Sequence, residues 1–235
     1  MLTSLKTCLA DLLINPSCSL CNPRTAAKAY DVDLCQACRA RLGLPNQPLD
    51  GTTPLPWKAV GWYEGELRRM ILHLRERSDT AQLRSICSSL RKELPSHSLL
   101  VPIPGWKAAK RSNPLPRRLC SCLERESLQL LSRCRKTVGQ HRLTLQQRFI
   151  NQRGSFRVCR ESGRSPIDQL ATSRPQPSVW LVDDIITSGA TVLAARDVLA
   201  GAGVGVEGVV CLARTPRHPH PCDLGFVRRA DNAPG

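Results

Sequence analysis

The feature that most constrains the fold is a strand, loop and helix pattern across residues 178–200. Residues 179–182 are apolar and β-prone, as expected for a strand buried in a parallel sheet. Residues 191–200 are predicted to form a helix that Gly201 caps. Small and hydroxyl-bearing residues form the loop between them. Such a loop binds phosphate, because backbone N–H groups converge there and the helix dipole favours an anion.

Two adjacent carboxylates, Asp183 and Asp184, stand just before this loop. Carboxylates repel a phosphate, so their presence calls for a second group on the ligand. A ribose supplies one, because its vicinal hydroxyls donate hydrogen bonds to carboxylates. We therefore expect both side chains to face a sugar phosphate rather than the core. The alternative is a structural turn with two solvated aspartates.

Strand and helix patterns alternate along the rest of the chain, which predicts an α/β sheet flanked by helices. The predicted strands cover residues 57–63, 99–103 and 208–213, and the predicted helices cover residues 67–74, 83–94 and 117–133. The periodicity of the first of these helices puts Arg75 on its outer side. The stretch 44–57, rich in Pro and Gly, is typical of a linker.

Four cysteines have the spacing of a metal site. Cys18 and Cys21 form one Cys-x-x-Cys pair, and Cys35 and Cys38 form a second. Two such pairs complete a tetrahedral, structural zinc site with no open coordination position. Two disulfides or four unused thiols are the alternatives. We expect an N-terminal helix and zinc module at residues 1–56 and a larger domain at residues 57–235, with a mobile loop at 157–177 and a tail at 216–235.

The chain carries 34 Lys and Arg against 19 Asp and Glu, for a formal charge of +15. Fourteen of the basic residues and only two acidic ones lie between residues 101 and 160. A surplus of this size attracts polyanions such as nucleic acid. The sequence has no secretory signal and no apolar run long enough to span a membrane, which predicts a cytoplasmic protein.

Residues 182–191 resemble the phosphoribosyl-pyrophosphate (PRPP) motif of type I phosphoribosyltransferases. In that family the acidic pair holds the ribose hydroxyls and the loop backbone holds the 5′-phosphate. The resemblance implies a phosphoribosyltransferase-like sheet and Mg²⁺ accompanying PRPP. It implies the following PRPP-binding residues: Asp183, Asp184, Thr187, Ser188, Gly189, Ala190 and Thr191.

Further motifs extend over nearly the whole chain: the four-cysteine module, Trp62-Tyr63-Glu64-Gly65, Val101-Pro102-Ile103-Pro104, and a middle signature that includes Arg133-x-Arg135-x-Thr137 and Arg148-x-x-Asn151-x-x-Gly154. In this order they are similar to the ComF family of competence proteins. The resemblance implies a role in natural transformation, in which imported single-stranded DNA is handled at the cytoplasmic side of the membrane. Competence-machinery proteins are the implied partners.

One segment departs from the family pattern. Most members carry Arg-Gly-Phe-Asn-Gln after the Val-Pro-Ile-Pro strand, whereas residues 110–116 here read Lys-Arg-Ser-Asn-Pro-Leu-Pro. The two prolines remove two N–H donors that a pyrophosphate would otherwise meet. Arg111 still reaches a pyrophosphate in this interpretation, and it is a candidate catalytic residue together with Arg133 and Arg135.

Two interpretations compete for the basic residues near the family signature, namely Arg133, Arg135, Lys136, Arg142 and Arg148. They form either a cover that neutralises pyrophosphate or a groove for single-stranded DNA. The excess of charge favours DNA contact in addition to PRPP, although the nearby aromatic residues are few: Trp106, Phe149 and Phe156.

Three functions follow from the sequence. The first is a PRPP-binding, ComF-like protein that serves DNA uptake. The second is an active phosphoribosyltransferase that moves ribose 5-phosphate from PRPP to an unknown nitrogen acceptor. The third is a zinc-bearing adaptor that catalyses nothing.

Overall fold

The computed structural model describes residues 18–21, 34–105, 113–134, 144–159, 167, 170 and 177–216. The helices in these ranges are α1 (Gln36–Arg41), α2 (Gly65–Glu76), α3 (Thr80–Ile86), α4 (Ser88–Glu93), α5 (Leu115–Leu123), α6 (Leu145–Gln152) and α7 (Ala190–Ala200). The strands are β1 (Leu49–Gly51), β2 (Trp57–Trp62), β3 (Ser98–Pro102), β4 (Leu131–Arg133), β5 (Phe156–Val158), β6 (Ser178–Ile186) and β7 (Gly208–Arg214).

Five strands form the central sheet in the order β1-β2-β7-β6-β3. The pairs β2–β7, β7–β6 and β6–β3 are parallel, and β1 adds to β2 in the antiparallel direction. Strands β4 and β5 pair with each other in a separate antiparallel ribbon. The predicted fold class, an α/β protein with a mostly parallel sheet, is confirmed.

Apolar side chains pack on both faces of this sheet, because residues of a buried strand alternate between the faces. Val182 belongs to one apolar layer together with side chains of α2, α3, α4 and α5. Leu181 belongs to the other, together with α7 and Phe156 of β5. Cys18 and Cys38 lie in the first layer, so the cysteine segment shares its core with the sheet.

Three local predictions need correction. The predicted linker contains β1, which extends the sheet beyond β2. The predicted helix at 83–94 is two helices, separated at Cys87. The predicted helix at 117–133 ends much earlier, because Glu124 adopts a left-handed conformation with φ of 54°. The residues before its predicted end form β4 instead.

The strongest local prediction is confirmed and lengthened. Strand β6 continues through both aspartates to Ile186, and α7 begins at Ala190. Gly201 does follow α7, but in a right-handed conformation with φ of −62°. In the part of the chain that the structure describes, no helix has both the length and the apolar character that crossing a membrane requires. The N-terminal helix predicted before Cys18, most of the loop at 157–177 and nearly all of the tail lie outside the described residues.

Candidate functional site

The carboxyl ends of the parallel strands bring the predicted ligand residues to one edge of the sheet. Asp183 and Asp184 lie near the carboxyl end of β6, where Asp183 is opposite Cys211 of β7. Ile186 is opposite Arg214, and Arg214 is opposite Trp62 at the end of β2. This is the edge at which ligands bind in open α/β sheets.

The loop after β6 has the geometry of an anion site at a helix start. Gly189 has φ of 82° and is the N-cap of α7, and it has no side chain to cover the first N–H groups of the helix. The hydroxyl of Ser188 accepts a 3.4 Å hydrogen bond from the backbone N–H of Ala190. Thr187, Ser188 and Thr191 are half-buried. Backbone N–H groups and the positive end of the helix dipole therefore converge on this loop.

Arg214 binds the backbone of the loop, a role that the sequence patterns do not suggest. Its guanidinium donates to the carbonyl of Thr187 at 2.7 Å and to the carbonyl of Thr53 at 3.4 Å. The same group lies 5.5 Å from the ring centre of Trp57, and the residue is only 2% exposed. Arg214 thus fixes the loop to the segment before β2 and adds a positive charge beneath it.

Substituting Gly189 by Ala is expected to destabilise the protein by about 3 kcal/mol. A Cβ at this position would overlap Pro54, with its Cδ only 2.8 Å away, and the residue would keep a strained positive φ. Gly201→Ala is the matched control on the same helix. Its φ is right-handed and its added Cβ would be 3.4 Å from the nearest atom, so we expect a change within about 0.5 kcal/mol. Urea denaturation measures both, and equal midpoints would contradict the close approach of Pro54.

Asp184 is bound by the protein itself. Its Oδ2 accepts from Nε of Arg75 at 2.7 Å and from Nδ2 of Asn113 at 2.6 Å. The side chain of Asp184 is 5% exposed and that of Arg75 is 34% exposed. Burial is the largest single influence on the pKa of Arg75 and lowers it, but the charge of Asp184, its hydrogen bond and the interactions with Tyr63 and Asp183 together raise that pKa above its usual value. Asp184 is therefore paired within the protein before any ligand binds, because Arg75, predicted to be on the outer side of its helix, turns toward it. The expectation that both carboxylates face a ligand stays a prediction.

Asp183 differs from its neighbour. It is half-buried, and its Oδ1 accepts the backbone N–H of Asp184 at 2.8 Å. Burial and then the charge of Asp184 raise the pKa of Asp183 well above its usual value. The structure therefore separates the pair into one carboxylate paired with a cation and one carboxylate that is costly to ionise.

The segment that departs from the family pattern supplies one of these contacts. Asn113 links two elements, because its Oδ1 accepts the backbone N–H of Leu115 while its amide reaches Asp184. Pro114 is the N-cap of α5, and Pro116 is the second residue of that helix. A helix leaves those N–H groups unbonded, so the prolines suit a helix start. Arg111 lies outside the described residues.

The basic residues are distributed less simply than predicted. Arg133 donates from Nε to the carbonyl of Pro104 at 3.0 Å and from Nη1 to Gln152 Oε1 at 3.3 Å. Its guanidinium lies 4.5 Å from the ring centre of Phe156. These contacts give Arg133 a structural role, tying β4 to the end of β3. Arg148 is half-buried on α6, and Arg135, Lys136 and Arg142 fall outside the described ranges.

Two further arginines of the basic stretch also serve the fold. Arg118 donates to the carbonyls of Leu74 and Arg77. Arg125 donates to several backbone carbonyls, including that of Leu94 at 2.9 Å. Part of the charge between residues 101 and 160 is therefore used inside the protein.

The four cysteines predicted to bind zinc come together. Their Sγ atoms all lie within 4.8 Å of one another, and Sγ of Cys21 is 3.5 Å from Sγ of Cys35. Four thiolates around one zinc ion at 2.3 Å are about 3.8 Å apart, so this arrangement fits the metal. A disulfide requires about 2.05 Å, and all four cysteines are free.

The local backbone favours a thiolate at one cysteine of this cluster. Cys35 is the N-cap of α1, and its Sγ accepts the backbone N–H of Cys38 at 3.4 Å. Although burial acts in the opposite direction, backbone N–H groups of Cys35, Leu20 and Cys21 lower the pKa of Cys18 to about 6. Burial and the neighbouring sulfur atoms instead raise the pKa of Cys21 and Cys38, so without a metal the cluster favours one thiolate, at Cys18.

Comparison with known proteins gives one informative similarity. The chain is 27% identical over 219 residues to the DNA utilization protein YhgH of Salmonella typhi, an alignment that covers 84% of this chain and 90% of that protein. No protein-family model matches the chain. The similarity therefore extends over most of the α/β fold and is not limited to one motif.

Proposed function

We propose that this protein binds a ribose 5-phosphate group, with PRPP as the ligand, and serves the use of imported DNA. The observation that carries the proposal is the loop after β6. Gly189 opens α7 with a positive φ, and an acidic pair stands on the preceding strand. A phosphate suits the N–H groups of the loop, and ribose hydroxyls suit the carboxylates.

The carboxylates divide the work of binding ribose. Arg75 and Asn113 already occupy Oδ2 of Asp184, so a ribose hydroxyl meets its other oxygen or the carboxylate of Asp183. Arg75 fixes the orientation of one acceptor before the ligand arrives, and such preorganisation favours binding. Mg²⁺ accompanying PRPP belongs to this proposal through the resemblance of the motif alone.

The role in DNA use rests on two supports. The first is the similarity to a protein named for DNA utilization, over most of both chains. The second is the formal charge of +15, which favours contact with a polyanion. Natural transformation and competence proteins as partners are the specific form of this role that the resemblance to the ComF family supports.

Zinc at Cys18, Cys21, Cys35 and Cys38 completes the proposal as a structural metal. A site with four thiolates leaves no position for a substrate, so its contribution is to hold the segment before β1 on the sheet. Catalysis by zinc is not part of the proposed function.

Turnover of PRPP is the second candidate. Among the predicted catalytic residues, Arg133 has its guanidinium bound to Pro104 and Gln152. Of the three predicted catalytic arginines, only Arg111 and Arg135 would then be left to neutralise pyrophosphate. Binding without turnover is the form of the function that the described residues favour.

Calorimetric titration tests the ligand. We expect ribose 5-phosphate to bind at least about tenfold more tightly than 2-deoxyribose 5-phosphate, because only the first has the vicinal hydroxyls that two carboxylates recognise, and a hydrogen bond to a charged group contributes about 1.5–3 kcal/mol. Ribose without phosphate should bind far more weakly than either sugar phosphate.

Two outcomes would separate the alternatives. Equal affinity for the two sugar phosphates would contradict the role of the carboxylates, and no binding by either would leave the adaptor as the better function. PRPP with Mg²⁺ is then titrated in the same calorimeter. Release of pyrophosphate in the presence of bases or amines would establish the transferase.

A further inference from the structure

Among the described residues, one large aromatic side chain is exposed at the ligand edge. Trp62 ends β2 and is 42% exposed, whereas Trp57 and Trp180 are buried. Burying an indole stabilises a protein, and tryptophan is highly buried on average. Its exposure at this edge calls for an explanation.

The indole of Trp62 is held in place from below. Its ring centre lies 6.3 Å from that of Trp57 at an interplanar angle of 61°, an edge-to-face contact. The guanidinium of Arg214 lies against the ring of Trp57 and also bonds the carbonyl of Thr187. A chain of direct contacts therefore joins the exposed indole to the phosphate loop.

The distance between the two suits a nucleotide. Trp62 is opposite Arg214, which is opposite Ile186, the last residue before the loop. Two strand spacings make about 10 Å between the backbones of Trp62 and Ile186. A phosphate on the loop and a ribose at the acidic pair leave the base of the same nucleotide to extend along this edge.

A cation lies against the residue that follows Trp62 in the chain. That residue, Tyr63, is fixed by a 2.8 Å hydrogen bond from its N–H to the carbonyl of Arg214. The exposed Arg68 places its guanidinium 5.9 Å from the ring centre of Tyr63. An aromatic face next to an arginine is the combination that binds a base together with its negatively charged backbone.

We propose that Trp62 is a stacking surface for a nucleobase whose phosphate occupies the loop at residues 187–191. This inference rests on the proposed function and extends it from ribose 5-phosphate to a nucleotide. The base belongs either to a free nucleotide or to single-stranded DNA, since both present the same aromatic face.

Binding by Trp62 variants tests the inference. We expect Trp62→Ala to weaken binding of adenosine 5′-monophosphate about tenfold and to leave ribose 5-phosphate unchanged, because stacking on an aromatic side chain contributes about that factor per base. Trp62→Phe keeps a ring and should stay near the wild-type affinity. Leu72→Ala, which removes a side chain that is 38% exposed on α2, is the matched control and should change neither.

An oligonucleotide identifies the source of the base. A thymine strand and an abasic strand of the same length are compared with wild-type protein and Trp62→Ala. A loss confined to the thymine strand assigns the surface to DNA, and a loss confined to adenosine 5′-monophosphate assigns it to free nucleotides. Unchanged binding of both by Trp62→Ala, or no binding of either by the wild type, would overturn the inference.

The two proposals fail in different ways. If ribose 5-phosphate does not bind, the proposed ligand is wrong, and the thymine and abasic strands still test the stacking surface. If ribose 5-phosphate binds and Trp62→Ala has no effect on any base, only the stacking surface is wrong. A thermal midpoint for each variant close to that of the wild type ensures that binding, and not folding, is compared.

Discussion

Asparagine at position 183 is expected to stabilise this protein at neutral pH, and asparagine at position 184 is expected to destabilise it. The pKa of Asp183 is raised in the folded chain, so at neutral pH folding bears the cost either of ionising this carboxyl or of holding its proton, and an amide has neither cost. We expect Asp183→Asn to raise the free energy of unfolding by about 1 kcal/mol. Asparagine at this position retains an oxygen that accepts the N–H of Asp184.

Asp184→Asn acts in the opposite direction, because it removes the negative partner of Arg75. The guanidinium then keeps its charge in a partly buried place without the carboxylate that lies 2.7 Å from it. Since Arg75 is 34% exposed, water offsets part of the loss, and we expect about 2 kcal/mol of destabilisation. Asp197→Asn is the control, because its carboxylate is 63% exposed and pairs at the surface with Arg196, where the change should stay below about 0.5 kcal/mol.

The pH dependence of stability is an independent test of whether Asp183→Asn stabilises the protein. Below about pH 4 the carboxyl is protonated in both the folded and the unfolded chain, so wild type and Asp183→Asn should be equally stable. Above that pH the unfolded chain releases its proton while the folded chain keeps it. The wild type therefore loses stability relative to Asp183→Asn until the raised pKa is passed. A difference that stays constant between pH 4 and pH 8 would contradict the raised pKa.

The same variants separate folding from ligand binding. Under the proposed function both carboxylates accept from ribose, so each asparagine variant should bind ribose 5-phosphate more weakly than wild type. Asp183→Asn is then more stable and less able to bind, which a purely structural aspartate would not be. If Asp183→Asn has the stability of the wild type and binds ribose 5-phosphate equally well, Asp183 is not part of the binding site.

The parts of the fold that sequence could predict depend on neighbours in the chain. The strand at β6, the loop and α7 follow from an apolar run, small residues and a helical segment within residues 178–200. The four cysteines are likewise predictable, because a turn and a helix start each present a pair of sulfur atoms. In each case the local pattern contains the interaction that stabilises the structure.

The failures depend on contacts between distant residues. The helix predicted at 117–133 stops at Glu124, and the side chain of Arg125 then bonds carbonyls of Arg91, Leu94 and Pro95. The spacing of apolar residues carries no information about hydrogen bonds between distant residues. It therefore predicts a helix wherever that spacing is helical.

The candidate site repeats this division. The acidic pair and loop are local, whereas Arg75 reaches Asp184 across 109 positions of sequence, and Arg214 reaches Thr53 across 161. Arg133 is predicted from the sequence to be a ligand residue because it is basic and lies in a family signature, yet its guanidinium donates to the backbone carbonyl of Pro104. Composition identifies cations, and only the fold identifies their partners.

Removal of zinc is expected to produce the largest loss of stability. Cys18 and Cys38 are buried in the same apolar layer as Leu67 and Ile71 of α2, so the cluster and the sheet share a core. Structural zinc binds isolated zinc-finger peptides with about 10–16 kcal/mol at neutral pH, and folding receives most of this free energy. Even if only about 3 kcal/mol reaches the main core, a strong chelator should lower the thermal midpoint by roughly 10 °C.

Serine variants give the same test without a chelator. Cys38→Ser should reduce bound zinc from one ion per chain to nearly none and lower the thermal midpoint as the chelator does, because an alcohol does not replace a thiolate on zinc. Cys134→Ser is the control, since Cys134 is exposed, lies outside the cluster, and has an Sγ that donates to the carbonyl of Gly154. Protein purified without chelator that holds no zinc, or a chelator that leaves the midpoint unchanged, would contradict a structural metal.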